Sequence, residues 1–146
     1  FRSLLSASGR GELTLSKADQ SLPATRFSFR LDFTPGGRLG PGKVQLLEAI
    51  GETGSISAAG RSMKMSYRRA WLLVDDLNRI FRAPLVEAQP GGAKGGGAHL
   101  TALGREIVAN YRAIEAKALE AGKAEIAALR AAVSPTAPIR EPGKKA

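Results

Sequence analysis

Only Met63-Lys64-Met65 separates two segments that each open on a serine, and this spacing constrains the chain more than any other feature. Ser55 can cap a helix running to about Ser62, and Ser66 can cap a further helix to about Phe81, because a serine oxygen accepts from an orphan amide of the first turn. Upstream, Pro41 stands where a first helical residue often does. Val44, Leu47 and Ile50 then recur at helical spacing, so a helix is expected from about Pro41 to Ile50, stopping at Gly51 or Gly54. Two helices joined by so short a turn, with another helix to support them, make a helix-turn-helix arrangement.

The segment from Ser66 to Phe81 carries the sharpest chemical signal. At about 100° per residue, Ala70, Leu73, Val74, Leu77, Ile80 and Phe81 gather on one side, and Tyr67, Arg68, Trp71, Leu72 and Asp75 project from the other. The first side reads as core. The second begins with two arginines and a tyrosine at the positive end of the helix dipole, which attracts phosphate. Arg68 points most directly away from the apolar side and is assigned to a base edge, guanine above all; Arg69, toward the flank, is assigned to phosphate. Tyr67 can donate to a phosphate or pack on a thymine methyl. Trp71 can approach the sugar-phosphate wall or pack on a neighbouring helix or wing. Ser55, Lys64 and Ser66 complete the nucleic-acid set on this side of the wing, and the plain alternative for the arginines is a solvated face.

Charge supports a polyanion as partner: 22 Lys and Arg against 13 Asp and Glu leave +9 on 146 residues. Double-stranded DNA is the expected partner and a membrane is not, since no apolar run approaches the roughly 20 residues that span a bilayer. Cysteine is absent and His99 is the only histidine, which leaves almost nothing on which to build a thiolate or His-based metal site or a serine-histidine triad. Neither catalytic residues nor an enzyme activity are expected, and no cofactor is legible.

The flanks complete the expected architecture. Residues 1–24 lack a sustained period and read as a flexible arm. Arg26 to Phe33 alternates, with Phe27, Phe29, Leu31 and Phe33 on one face, which reads as a half-buried strand ended by a turn at Thr34 to Gly37. Leu85 to Ala88 and Ala98 to Leu100 are strand candidates flanking a Gly-rich loop whose one charge is Lys94, placed to reach phosphate or a minor groove. Thr101 can cap a helix from about Ala102 to Val133, about 48 Å long. Its stripe of Leu103, Ile107, Tyr111, Ile114, Ala118 and Ala121 is too long for so small a body to cover, so a second subunit is the expected cover. The fold class is therefore mainly α with a small antiparallel β-sheet (α+β). A winged helix-turn-helix domain over 25–100 is followed by a dimerisation helix over 101–133 and a disordered, Pro-rich tail over 134–146.

Ser55 to Trp71, followed by Leu77-Asn78 and by Leu100-Thr101-Ala102-Leu103-Gly104, resembles the N-terminal DNA-binding domain of the molybdate-responsive regulator ModE, within the broader LysR-type winged helix. The resemblance covers roughly Phe27 to Leu119. It implies a cytoplasmic homodimer joined through the long helix, with Ser66, Tyr67, Arg68 and Arg69 at the DNA and the wing on the backbone. Gly60 stands where that family usually has Ala. The Pro-rich tail in place of molybdate-binding domains makes a single-domain form the expectation. Molybdate as ligand, and a role in molybdenum uptake or use, rest on the resemblance alone. Two other readings compete with a sequence-specific regulator: an architectural protein that binds DNA without choosing sequence, and a nucleotide-binding loop at Gly37 to Val44, where Gly, four residues and Gly-Lys match the phosphate-loop spacing.

Overall fold

The computed structural model describes residues 7–8, 12–13, 25–89 and 97–136. Within the N-terminal arm, which reads from sequence as flexible or weakly ordered, strands β1 (Ala7–Ser8) and β2 (Glu12–Leu13) form a short antiparallel ladder. The rest of that arm, the wing tip with Lys94 and the tail from 137 onward lie outside the described residues.

The alternating segment before the first helix differs from its expectation. Only Leu31–Phe33 is a strand (β3), paired antiparallel with Gly37–Leu39 (β4), a segment that reads from sequence as the end of a turn and the start of a phosphate-loop match. The partner strand is cut short because Pro41 opens a helix two residues later, so the ladder has nowhere to extend. The alternation nevertheless survives as burial: Phe27, Phe29 and Leu31 are half-buried and Arg26, Ser28 and Arg30 exposed, whereas Phe33 turns outward. Gly37 closes the hairpin at φ 124°, and a Cβ there would stand 3.0 Å from Ile80 Cγ1.

Three helices follow as the caps predict: α1 (Pro41–Thr53), α2 (Ile56–Ser62) and α3 (Tyr67–Ile80). Helix α1 runs past Gly51 and ends at Gly54 in the left-handed region, whose amide donates to Ile50 O. Val44, Leu46, Leu47 and Ile50 are wholly buried, together with Ala59 of α2 and Ala70 and Leu77 of α3. Leu46 joins this core beyond the residues that helical spacing had marked. The wing is a hairpin of β5 (Val86–Ala88) and β6 (Ala98–Leu100), in register Val86 with Leu100, Glu87 with His99 and Ala88 with Ala98.

The expected single helix over 102–133 is two helices, α4 (Ala102–Ala121) and α5 (Lys123–Ala132). The joint is Gly122, where ψ opens to 9° while the Gly122 amide still reaches Ala118 O at 2.8 Å and the Ile126 amide reaches Gly122 O at 2.8 Å. Glycine resists the helical conformation by about 1 kcal/mol relative to alanine, which makes it the natural place for the departure.

The apolar stripe of α4 also divides. Leu103 and Ile107 pack against the protomer's own core. Tyr111, expected at a subunit seam, is 1% exposed. That expectation is corrected: its ring stacks on Phe29 at 4.2 Å and its hydroxyl donates to Phe29 O at 2.7 Å, so the extended N-terminal segment covers it. Further along, Ile114 is exposed, Ala118 half-buried and Ala121 exposed, and α5 buries nothing.

Candidate nucleic-acid interface

The turn between α2 and α3 fixes the site. The Met65 amide donates to Gly60 O at 3.0 Å and the Lys64 amide to Arg61 O at 3.0 Å, the paired bonds of a Schellman ending. Such an ending needs one residue in the left-handed region, and Lys64 fills it at φ 55°, where glycine is the usual occupant. Holding a lysine there costs roughly 1–2 kcal/mol and leaves a cation exposed beside the start of α3. Gly60 is buried, and a Cβ on it would stand 3.0 Å from Ala70 Cβ. A missing side chain therefore lets α2 and α3 approach closely.

Both serine caps form. Ser55 Oγ accepts from the Ala58 amide at 3.1 Å and Ser66 Oγ from the Arg69 amide at 3.1 Å. Each hydroxyl keeps its own hydrogen to donate. Lys64, Ser66, Tyr67, Arg68, Arg69 and Trp71 cluster at the tip of α3, whereas Ser55 caps the opposite end of α2, a helix about 10 Å long at 1.5 Å per residue.

The outward side of α3 pairs charge with apolar surface. Arg68 and Arg69 are exposed, and neither they nor Lys64 enters an ion pair among the described residues. Tyr67 is 62% exposed, Leu72 57% and Trp71 38%, while Ala70, Val74 and Leu77 on the opposite side are buried. Trp71 does not retreat into the core; its ring meets that of Tyr67 edge-on at 6.1 Å. Tyr67, Arg68, Trp71, Leu72 and Asp75 line a shallow concavity. One turn on, Arg79 pairs with Asp75 at 2.6 Å, which offsets the one carboxylate lining this concavity.

Sequence reasoning missed the residues that hold this helix to the wing. Asn78 Oδ1 accepts from the Leu85 amide at 2.9 Å and the Val86 amide at 3.1 Å, and its Nδ2 donates to Val86 O at 3.1 Å. Thr101, besides capping α4 through the Gly104 amide, donates from its hydroxyl to Pro84 O at 2.8 Å and from its amide to Leu85 O at 2.9 Å. Gly104 is required by this junction, since a Cβ there would fall 2.3 Å from Leu85 O. The Ala98 amide donates to Gly54 O, tying the second wing strand to the end of α1. The available signals were an asparagine beside a core leucine and a glycine in the first turn of a helix, both unfavourable choices that a tertiary contact repays.

Across the wing, His99 Nε2 lies 3.2 Å from Glu87 Oε2. On the other flank Arg112 of α4 bridges Glu48 of α1 and Glu115, the latter at 3.0 Å. Hydrogen bonding to Glu48 holds the guanidinium above its ordinary pKa range, against the opposing pull of burial. Burial pushes the Tyr111 hydroxyl up as well, and Glu115 adds to the shift.

The phosphate-loop reading fails on geometry. Gly37–Leu39 is one strand of an antiparallel hairpin, and Lys43, 13% exposed, donates to Arg38 O at 2.9 Å and lies 3.8 Å from Asp76 Oδ2. The lysine that would reach a phosphate is turned back into its own chain. Among the described residues no cluster of acidic or histidine side chains could hold a metal, and no helix is long and apolar enough to cross a membrane.

A three-helix unit whose third helix leads with an exposed cationic and aromatic tip, flanked by a hairpin wing, defines a winged helix-turn-helix module. Residues 42–105 match the family described as bacterial regulatory helix-turn-helix protein, lysR family. The chain is 53% identical over 81 residues to the molybdenum-pterin-binding protein MopB of Rhodobacter capsulatus, covering 56% of this chain and 30% of that protein. It is 45% identical over 96 residues to the molybdenum transport protein ModE of Azotobacter vinelandii (64% and 36%). With the DNA-binding transcriptional dual regulator ModE of Escherichia coli K12 it shares 37% over 71 residues (49% and 27%). The chain thus spans about a third of the length of these relatives. Residues 42–105 thus match the LysR-type helix-turn-helix model, and the likeness to these relatives is consistent with a ModE-like helix-turn-helix domain.

Proposed function

We propose that this chain is a sequence-specific, DNA-binding transcriptional regulator acting in the cytoplasm on genes of molybdenum uptake or use. The observation that carries the reading is the tip of α3, where Lys64, Arg68 and Arg69 are exposed and unpaired among the described residues around an outward-facing Tyr67 and Trp71. In this reading Arg68 reads a base edge and Arg69, Lys64, Ser66 and the wing-tip Lys94 hold phosphates. Ser55 serves chiefly to cap α2. The role is binding rather than catalysis. Molybdenum enters through the names of the relatives, among them a molybdenum transport protein and molybdenum-pterin-binding proteins.

The working form is a homodimer. Exposed Ile114, Leu119, Leu129 and Val133 on α4 and beyond, with Ala118 between them, give a second subunit an apolar strip to cover. Competition titration with genomic fragments at fixed salt tests the whole reading: a regulator favours some fragments by about 10³ or more over bulk DNA. A flat profile would instead identify an architectural protein. Calorimetric titration with molybdate and tungstate tests the effector, and the absence of heat at millimolar oxyanion would remove it.

A further inference from the structure

The side of α3 opposite its core carries apolar surface that phosphate binding does not use. Leu72, at 57% exposure, lies four residues beyond Arg68 on the same outward line, and Tyr67 and Trp71 wall the concavity beside it. In water alone, three large apolar groups exposed together are a liability. Cations flank them: Arg68 lines the concavity itself, Lys64 and Arg69 sit at the same tip, and the chain carries +9. The one carboxylate lining the concavity, Asp75, is paired with Arg79, so a surface with cations at one end and hydrocarbon along its length suits an anionic polymer that also presents small apolar groups. The major groove of DNA is such a surface, because thymine places its C5-methyl there and no other standard base presents one.

We infer that the Leu72, Trp71 and Tyr67 concavity receives a thymine methyl, so that the operator is read by hydrophobic contact as well as by Arg68. The inference rests on the DNA-binding reading above and adds to it a base identity and a residue, Leu72, that the helical pattern had placed outward without giving it a role. Arg68 and Leu72 are separated by about 6 Å along the helix axis, and base pairs by 3.4 Å. The methyl contact and the Arg68 contact are made by separate side chains, so the two can be tested separately.

The experiment uses the full chain and a duplex selected from random sequence, with each thymine replaced in turn by uracil. That exchange removes one methyl and leaves pairing and backbone unchanged. Burying one such group is worth about fourfold in affinity, so at least one position per half-site should weaken by about that factor. Leu72→Ala, at an exposed position, should bring the thymine-to-uracil ratio at that position to about one while leaving the preference set by Arg68 in place. Uracil duplexes that all bind as tightly as thymine, or a ratio that Leu72→Ala leaves unchanged, would overturn the methyl contact and spare the regulator reading. Failure to select any preferred duplex would overturn both.

Discussion

Lys64 shows how a single residue can carry a structural cost for a functional return. Its left-handed backbone would suit glycine better, so Lys64→Gly should stabilise the fold by about 1 kcal/mol in denaturant titration. The same change removes a cation beside the helix tip. DNA affinity should therefore fall for all sequences alike, and the slope of log affinity against log salt should become shallower by about one. A variant that gained stability with an unchanged salt slope would show that Lys64 does not touch phosphate. Arg68→Ala should behave differently, costing about 1–3 kcal/mol of binding and relaxing preference at one base position only. Gly60→Ala sets about 1 kcal/mol of helix propensity against a 3.0 Å approach to Ala70, and a thermal melt reads which prevails.

At the scale of elements, the recognition helix, the wing and α4 meet on Pro84, Leu85 and Val86. Asn78 satisfies two amides and a carbonyl there, so Asn78→Ala leaves part-buried backbone donors without partners, at a cost of about 1–3 kcal/mol. Because that junction also aims the wing, the variant should lose the contribution of Lys94 to DNA affinity. A double-mutant cycle with Lys94→Ala detects this as non-additivity, whereas strict additivity would mean that the wing finds its place without Asn78. Gly104→Ala should be harsher, since the Leu85 carbonyl occupies the space of the new methyl.

For the whole molecule, α4 has two roles in the proposed homodimer. Its first half completes the protomer, so Ile107→Asp should unfold the chain; Ile114 is exposed, so Ile114→Asp should leave a folded monomer by sedimentation. A folded Ile114→Asp dimer would move the seam elsewhere. Tyr111 links this helix to the segment before β3, and its pKa is raised by burial. For an acid with a raised folded pKa, the neutral form is the one the fold prefers. Its contribution is thus fully present below about pH 10, the unfolded value, and is lost as pH climbs through the folded one. Tyr111→Phe should flatten that alkaline loss in urea midpoints measured from pH 8 to 11.

Local chemistry alone settled the caps at Ser55, Ser66 and Thr101, the helices they start, and the outward placement of Arg68, because a cap and a 3.6-residue period act within a few residues of themselves. Tertiary contact decided the rest. It shortened the Arg26 to Phe33 strand to the length its partner allows, and drew Tyr111 under Phe29 in place of a second subunit. It also explained Asn78 and Gly104, whose value lies wholly in what Leu85 brings against them. Periodicity reports that a side chain is covered; only the assembled fold determines what covers it.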